Sequence, residues 1–278
     1  MKSIKTLVSD IQELIQNGKD FSQESLDALG RNMAECVRDS LSTSVRDNYL
    51  RISNLGTPCL RKLWYSINTP DQAETLPAAA KFKYLYGHLL ERLVLFLAKE
   101  SGHTVTGEQA EVNLHGVPGH KDAIIDGHLV DAKSASSYSF RKFKEHGLGE
   151  DDPFGYLTQL NAYLEADQTN PELTDKKSAS FLAIDKTLGH IILDTWGKDR
   201  VDYKRKVEAA KSVLAQKEPP ERGYTDKPMG KSGNRCLDVA CSYCDFKRKC
   251  WPGLQIADYS GGPVFMTKIV RSPKVGVS

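Results

Sequence analysis

The stretch from Gly119 to Lys133, Gly-His-Lys-Asp-Ala-Ile-Ile-Asp-Gly-His-Leu-Val-Asp-Ala-Lys, constrains this chain more than any other. Asp126-Gly127 is a strong two-residue turn signal between Ala123-Ile124-Ile125 and His128-Leu129-Val130, which predicts a tight antiparallel hairpin. If Ile125 pairs with His128, paired positions sum to 253 and Asp122 falls opposite Asp131. Residues so opposed have Cβ atoms about 4.5 to 5.5 Å apart, and side-chain alternation puts Lys133 on the face of Asp131. Like charges directly opposed destabilise a sheet. A divalent cation compensates them: Mg²⁺ is held by one or two carboxylates, water and phosphate oxygens, and a bound cation lowers the pKa of its water. In that arrangement Lys133 holds the water or the charge developing on phosphorus. A surface hairpin with solvated charges is the other reading of this segment alone.

At 278 residues, with 40% hydrophobic and 27% charged residues, the chain suits one sizeable globular domain or one domain with appendages. Its net charge of +2 does not announce a nucleic-acid binder, so any phosphate contact must come from local clusters. Such clusters stand at Arg61-Lys62, Lys81-Phe82-Lys83, Arg141 to Lys144, Lys204 to Lys206 and Lys247 to Lys249, and runs of this kind are most often solvated faces. The N-terminus lacks the apolar stretch of a signal peptide, and no apolar run approaches the ~18 residues of a membrane span. A cytoplasmic location is expected, where six cysteines serve as thiols or metal ligands rather than a disulfide framework.

Amphipathic helices are predicted over 3 to 17 and 22 to 43, the second capped by Ser22 or Asp20. Further helices follow at 57 to 67, 80 to 101, 153 to 166 and 199 to 217, with strands at 103 to 114, 117 to 125, 128 to 135, 179 to 185 and 189 to 195. Helix, meander, helix and more strands imply an α/β fold with a mixed central sheet flanked by helices. The domain reading is an N-terminal helical region over 1–50, a core over 51–253 and a tail over 254–278.

Cys241, Cys244 and Cys250 form a C-x2-C-x5-C run, and Cys59 or Cys236 could complete a four-thiolate set. Four thiolates suit a tetrahedral zinc or an iron-sulfur cluster. One close pair plus a single cysteine, with a lone Cys59 at a helix start, favours [4Fe-4S] over Zn²⁺. Cys36 lies on the apolar side of a predicted helix and reads as a small buried hydrophobe.

Taken together, Asp122, Asp131-Ala132-Lys133, the helix motif Gln159-Leu-Asn-Ala-Tyr163 and Cys59 with Cys241, Cys244 and Cys250 resemble PD-(D/E)XK nucleases of the RecB-like group. The cysteine layout is similar to the branch with an iron-sulfur cluster, which includes CRISPR-associated exonucleases and AddB-type nuclease domains. The resemblance covers about residues 57 to 252, including Thr57-Pro-Cys-Leu-Arg-Lys-Leu-Trp-Tyr65. It implies a restriction-endonuclease-like core, with Asp122, Asp131 and the Ala132 carbonyl as Mg²⁺ or Mn²⁺ ligands and Lys133 polarising water. It also implies that Gln159 and Tyr163, one helical turn apart, orient the lysine, the water or the DNA backbone. The family's first motif sets its ligand four residues after a helical glycine; Glu91 holds that position after Gly87, with His88 the second candidate.

The resemblance implies a metal-dependent DNA exonuclease acting on single-stranded DNA or DNA ends, from 5′ ends, in recombination, repair or phage DNA metabolism. A helicase or recombination partner is compatible with it, and a membrane is not expected. Trp64, Tyr65, Phe82, Tyr84, Tyr86 and Tyr138, interleaved with the basic clusters, suit base stacking. Two rivals are a zinc-stabilised nucleic-acid-binding module without catalysis and an accessory subunit of a helicase-nuclease complex.

Overall fold

A computed structural model describes residues 2–42, 48–273 and 275–276. Its helices are α1 (Leu7–Asn17), α2 (Gln23–Leu41), α3 (Leu60–Asn68), α4 (Ala78–Glu100), α5 (Ser137–Lys144), α6 (Tyr156–Ala166), α7 (Tyr203–Leu214), α8 (Val239–Ser242) and α9 (Lys247–Cys250). Its strands are β1 (Val105–Thr106), β2 (Glu111–Leu114), β3 (Val117–His120), β4 (Ala123–Ile125), β5 (His128–Ala135), β6 (Ser178–Asp185), β7 (Ile191–Gly197), β8 (Lys227–Pro228), β9 (Arg235–Cys236), β10 (Gln255–Tyr259) and β11 (Gly262–Lys268). Packing divides the chain into two compact units. The first holds 1–45, 50–56 and 77–207; the second holds 46–49, 57–76 and 208–278.

The first unit is built on a sheet of order β1-β4-β5-β6-β7, in which β5 and β6 run parallel and the other pairs antiparallel. The crossover from β5 to β6 carries α5 and α6, as a parallel connection requires. This is the mixed α/β core expected from the element order. Leu7 and Ile11 of α1, both 0% exposed, share one apolar cluster with Val94, Leu95 and Ala98 of α4 and with Ala123, Ile125, Val130 and Leu182 of the sheet. Helices α1 and α2 therefore belong to the same compact unit as the sheet. His103, fully buried, sets Nδ1 2.6 Å from Asp126 and Nε2 3.0 Å from Asp10, tying α1 to the hairpin turn. Ser22 caps α2 by accepting the Ser25 N–H at 3.1 Å; the expected helix end at residue 43 lies outside the described residues.

The hairpin forms in the expected register: Ala123 pairs with Val130, Ile124 with Leu129 and Ile125 with His128. Asp126 (φ 50) and Gly127 (φ 80) both take the left-handed backbone, the combination that matches strand twist in a two-residue turn. No side chain fits at 127, because a Cβ would stand 2.1 Å from Thr174 Oγ1.

Residues 103 to 114, expected as one strand, are two. Left-handed Gly107 (φ 59) and Gln109 (φ 51) turn the chain after β1, and β2 pairs with β3 in a separate two-stranded sheet. Helix α5, absent from the predicted elements, has its start fixed by Ser136 accepting the Ser139 N–H. Helix α6 begins three residues later than expected: Asp152 accepts the N–H groups of Tyr156 and Leu157, both at 2.9 Å, and Gly155 (φ 72) closes against Gly56, where any Cβ would meet the Gly56 carbonyl oxygen at 1.7 Å.

In the second unit, Trp64, Tyr65 and Phe246 form an apolar cluster, and the Trp64 indole N–H donates to the Gln216 carbonyl at 2.9 Å. Much of the segment read as a tail is regular structure: β10 and β11 form a hairpin in a sheet of order β10-β11-β9-β8.

Candidate active site and cysteine pocket

Strand β5 carries the centre of the site. Asp131 and Lys133 alternate onto one face and their charged ends pair directly. Asp122, one step beyond β4, stays in register: its Oδ2 accepts the Ala132 N–H at 2.8 Å, which pins that carboxylate beside Asp131. Helix α4 packs on the other face of β5, that of Val130, Ala132 and Ser134, closely enough that a Cβ on Gly87 would lie 3.0 Å from Ser134 Oγ, and one turn further it delivers Glu91, whose carboxyl feels the charges of Asp131 and Lys133. Gln109, placed by its left-handed backbone, donates Nε2 to Glu91 at 2.7 Å and to Asp122 at 3.3 Å, bridging two carboxylates. From α6, Gln159 Nε2 reaches Asp131 Oδ1 at 3.4 Å.

The electrostatics follow from burial and crowding. Burial, then the charges of Asp131 and Glu91, push the Asp122 carboxyl well above the usual range, against the opposing pull of Lys133 and the Ala132 N–H. Burial likewise raises Glu91, although Arg92 pulls the other way. Burial alone would lower Lys133, but the carboxylates of Asp131 and Asp122 outweigh it and hold the ammonium charged. Burial and then Asp131 and Asp122 push the Tyr163 hydroxyl up to about 12. The Lys133 ammonium also lies 5.2 Å from the centre of the Tyr156 ring.

Glu91, Asp122, Gln159, Tyr163 and His88 line one cavity of about 480 Å³. Arg51 and Arg92 add positive charge to its wall, and Cys36, Asp39 and Ser40 of α2 form part of it. Cys36 is buried, as expected, and at the cavity edge. His88 turns toward α2, with Nδ1 3.1 Å from Ser40 Oγ, and burial followed by Arg92 depresses its pKa. Sequence reasoning missed Gln109, Arg92, Arg51 and Tyr156. Only Tyr156 had a local signal, its place one turn ahead of Gln159 on the same helix.

Among the described residues, no three His, Cys, Asp or Glu side chains are grouped in ligating geometry for a metal ion. The donor set at the hairpin nevertheless fits a divalent cation. Asp131 Oδ2 is buried with no hydrogen-bond partner beyond its ion pair with Lys133. Burial first, and then the charge of Asp131, keep the Asp122 and Glu91 carboxyls protonation-prone, which a hard cation with oxygen ligands relieves.

A second cluster lies wholly in the second unit. Cys59, the N-cap of α3, lines one pocket with Cys241, Cys244 and Cys250; Cys236 is not among the pocket residues. Burial, then the proximity of Cys244, Cys59 and Cys250, pushes the Cys241 thiol up to about 12. Soft cationic metal fits such a set, since it deprotonates the thiols that burial otherwise keeps neutral. Arg222 donates Nε and Nη2 to the Cys250 carbonyl at 3.0 and 2.7 Å, and a Cβ on Gly223 would lie 3.2 Å from Cys59 Sγ. Trp64 and Tyr65, expected as nucleic-acid contacts, are only 8% and 4% exposed and belong to the core beside this pocket, because α3 turns its apolar face inward.

No family model matches the chain, and no curated protein matches it. Among solved structures it is similar to SSO0001, at 16% identity and TM-score 0.45 over 80% of this chain and 95% of that one. It is also similar to an alkaline exonuclease (LHK-Exo) from Laribacter hongkongensis, at 17% identity and TM-score 0.41 over 61% of this chain and 89% of that one. Such identities supply no residue-by-residue correspondence, so the site stands on its own geometry.

Proposed function

We propose that this protein is a Mg²⁺- or Mn²⁺-dependent DNA exonuclease that hydrolyses phosphodiester bonds from single-stranded 5′ ends. The observation that supports the reading is the set of Glu91, Asp122 and Asp131, buried or largely so, gathered around a Lys133 that Asp131 and Asp122 keep charged. Glu91, Asp122, Asp131 and the Ala132 carbonyl would hold the cation, which when bound neutralises phosphate charge and lowers the pKa of its water. Lys133 donates a hydrogen bond to the attacking water or to a non-bridging phosphate oxygen, where charge grows in the transition state. Gln159 fixes Asp131, and Gln109 fixes Glu91 and Asp122, so the acceptors are set before substrate arrives. Arg51 and Arg92 offer cations to the phosphates that flank the reacting one.

In the second unit Cys59, Cys241, Cys244 and Cys250 would hold a [4Fe-4S] cluster that acts by cross-linking distant segments rather than by electron transfer; Zn²⁺ is the alternative occupant of the four thiols.

The test is degradation of end-labelled single-stranded DNA by anaerobically purified protein with Mg²⁺ or Mn²⁺, beside Asp122→Ala and Lys133→Ala, with iron, sulfide and zinc assayed on the same preparation. The reading expects cleavage lost in both variants, a label pattern of 5′ ends consumed first, and stoichiometric iron and sulfide. A folded wild type that cleaves nothing would overturn it, and zinc without sulfide would overturn the cluster.

A further inference from the structure

Beside its four thiols the cysteine pocket is lined by an indole, that of Trp251. Pro252 follows it in the chain, and backbone ahead of a proline is disfavoured in the helical region. Helix α9 therefore stops at Cys250, and Trp251 leaves the helical backbone (φ −127, ψ 80). One guanidinium fixes both the ring and the chain beside it. Arg222 lies 4.1 Å from the centre of the Trp251 ring while its Nε and Nη2 donate to the Cys250 carbonyl.

The ring so held brings a donor that nothing answers. Trp251 Nε1 is buried and has no hydrogen-bond partner among the described residues. An indole N–H can only donate, and burying it unsatisfied costs free energy, so its retention in a pocket wall calls for an acceptor. The acceptor at hand is sulfur. Burial and the three other cysteines keep the Cys241 thiol protonated, and the Trp251 N–H stands close enough to pull the other way, toward thiolate. A thiol sulfur is a weak acceptor; metal binding turns it into a thiolate, and hydrogen bonds to ionised acceptors are roughly twice as strong as neutral ones. Cys244 has a comparable donor in the backbone, the Phe246 N–H at 3.4 Å from its Sγ.

We infer that Trp251 is a positioning residue of the cysteine site: its Nε1–H donates to the Cys241 sulfur once that sulfur is a metal-bound thiolate, and so sets how firmly the site keeps its metal. The inference rests on the reading of the four cysteines as metal ligands and holds whether iron-sulfur or zinc fills them. An N–H···S bond draws electron density from the thiolate, so its removal leaves a more basic sulfur that takes up a proton and releases metal more readily. Outer-shell partners of this kind are worth roughly 10- to 100-fold in metal affinity. In metal-free protein the same removal relieves a buried donor without an acceptor and costs no stability.

The experiment titrates the full-length, anaerobically purified protein with bipyridine for iron or a chromogenic pyridylazo chelator for zinc. It records metal release, thiolate-to-metal absorption (after exchange with Co²⁺ where zinc is native) and melting with and without metal. Compared are wild type, Trp251→Phe, a variant with 3-benzothienylalanine at position 251, which keeps the double ring without the N–H, and Trp196→Phe, which removes an indole N–H bonded to Asp194 in the first unit. Expected in both variants at 251 are half-release at chelator concentrations roughly 10- to 100-fold lower and absorption moved to longer wavelength, because a sulfur lone pair no longer held by an N–H lies higher in energy. The metal-free benzothienyl variant should melt where metal-free wild type does, and Trp196→Phe should hold its metal as wild type does. Wild-type release and absorption in the benzothienyl variant would overturn the hydrogen bond and leave the metal site standing. Equal destabilisation with and without metal, the mark of packing alone, would overturn it too. A wild type that takes up neither iron with sulfide nor Zn²⁺ nor Co²⁺ would sink the metal-ligand reading of the cysteines and this inference with it.

Discussion

Replacing Gly127 by alanine should damage the hairpin that carries the carboxylates, by an amount the structure resolves into two parts. The first is backbone strain: φ at 127 is +80, and a side chain in the left-handed region costs about 1–2 kcal/mol. The second is overlap: the new Cβ would meet Thr174 Oγ1 at 2.1 Å and Thr174 Cβ at 3.1 Å. Thr174 cannot simply retreat, because its N–H and that of Asp175 both donate to the Gly127 carbonyl at 2.9 Å. Relieving such overpacking costs about 1–3 kcal/mol, so Gly127→Ala should lose about 2–5 kcal/mol in total. Gly189→Ala supplies the control. Its φ is +74 and a Cβ there meets nothing within 4 Å, so only the strain of about 1–2 kcal/mol applies. Urea unfolding followed by circular dichroism measures both, and Gly127→Ala/Thr174→Ala should recover part of the overlap cost. If Gly127→Ala proved no less stable than Gly189→Ala, the close seating of the turn against Thr174 would be refuted.

Three further outcomes are expected. The raised Asp122 carboxyl means that the folded state keeps a proton the unfolded chain has lost, so between the ordinary carboxylate pKa and the raised folded one the cation-free protein loses stability as pH rises; Asp122→Asn should flatten that slope in thermal melts across pH and abolish stabilisation by Mg²⁺, and a variant as pH-sensitive as wild type would contradict the crowding. Gln109→Ala removes the bridge between Glu91 and Asp122 and should raise the Mn²⁺ concentration needed for half-maximal cleavage by roughly 10- to 100-fold with an unchanged melting temperature in EDTA; no change would make the bridge incidental. Gly223→Val pushes on Cys59 Sγ and Arg222→Ala frees the Cys250 carbonyl, so both should lower bound iron and sulfide per chain, and full metal content in both would show that the 222–223 segment does not hold the pocket together.

What the sequence by itself determined was local. Asp126-Gly127 fixes a two-residue turn because its two positions accept left-handed backbone, and a fixed turn fixes the register that puts Asp122 beside Asp131 and Lys133. The place four residues after Gly87 likewise singled out Glu91, which Gln109 bonds, whereas His88 turns to Ser40 of α2. What only the tertiary structure decided depends on contacts between segments far apart in the chain. Gln109 enters the site through a turn after β1 that no periodicity announces, and α2 becomes a wall of the cavity by packing on α4. Trp64 and Tyr65 look like Phe82 and Tyr84 in sequence, yet the first pair is core and the second is surface. Burial is a property of what the rest of the chain places against a side chain, and neighbours in sequence do not encode it. For the same reason Cys59 rather than Cys236 faces Cys241, Cys244 and Cys250: spacing left both available, and only the fold around α3 brought one of them to the pocket.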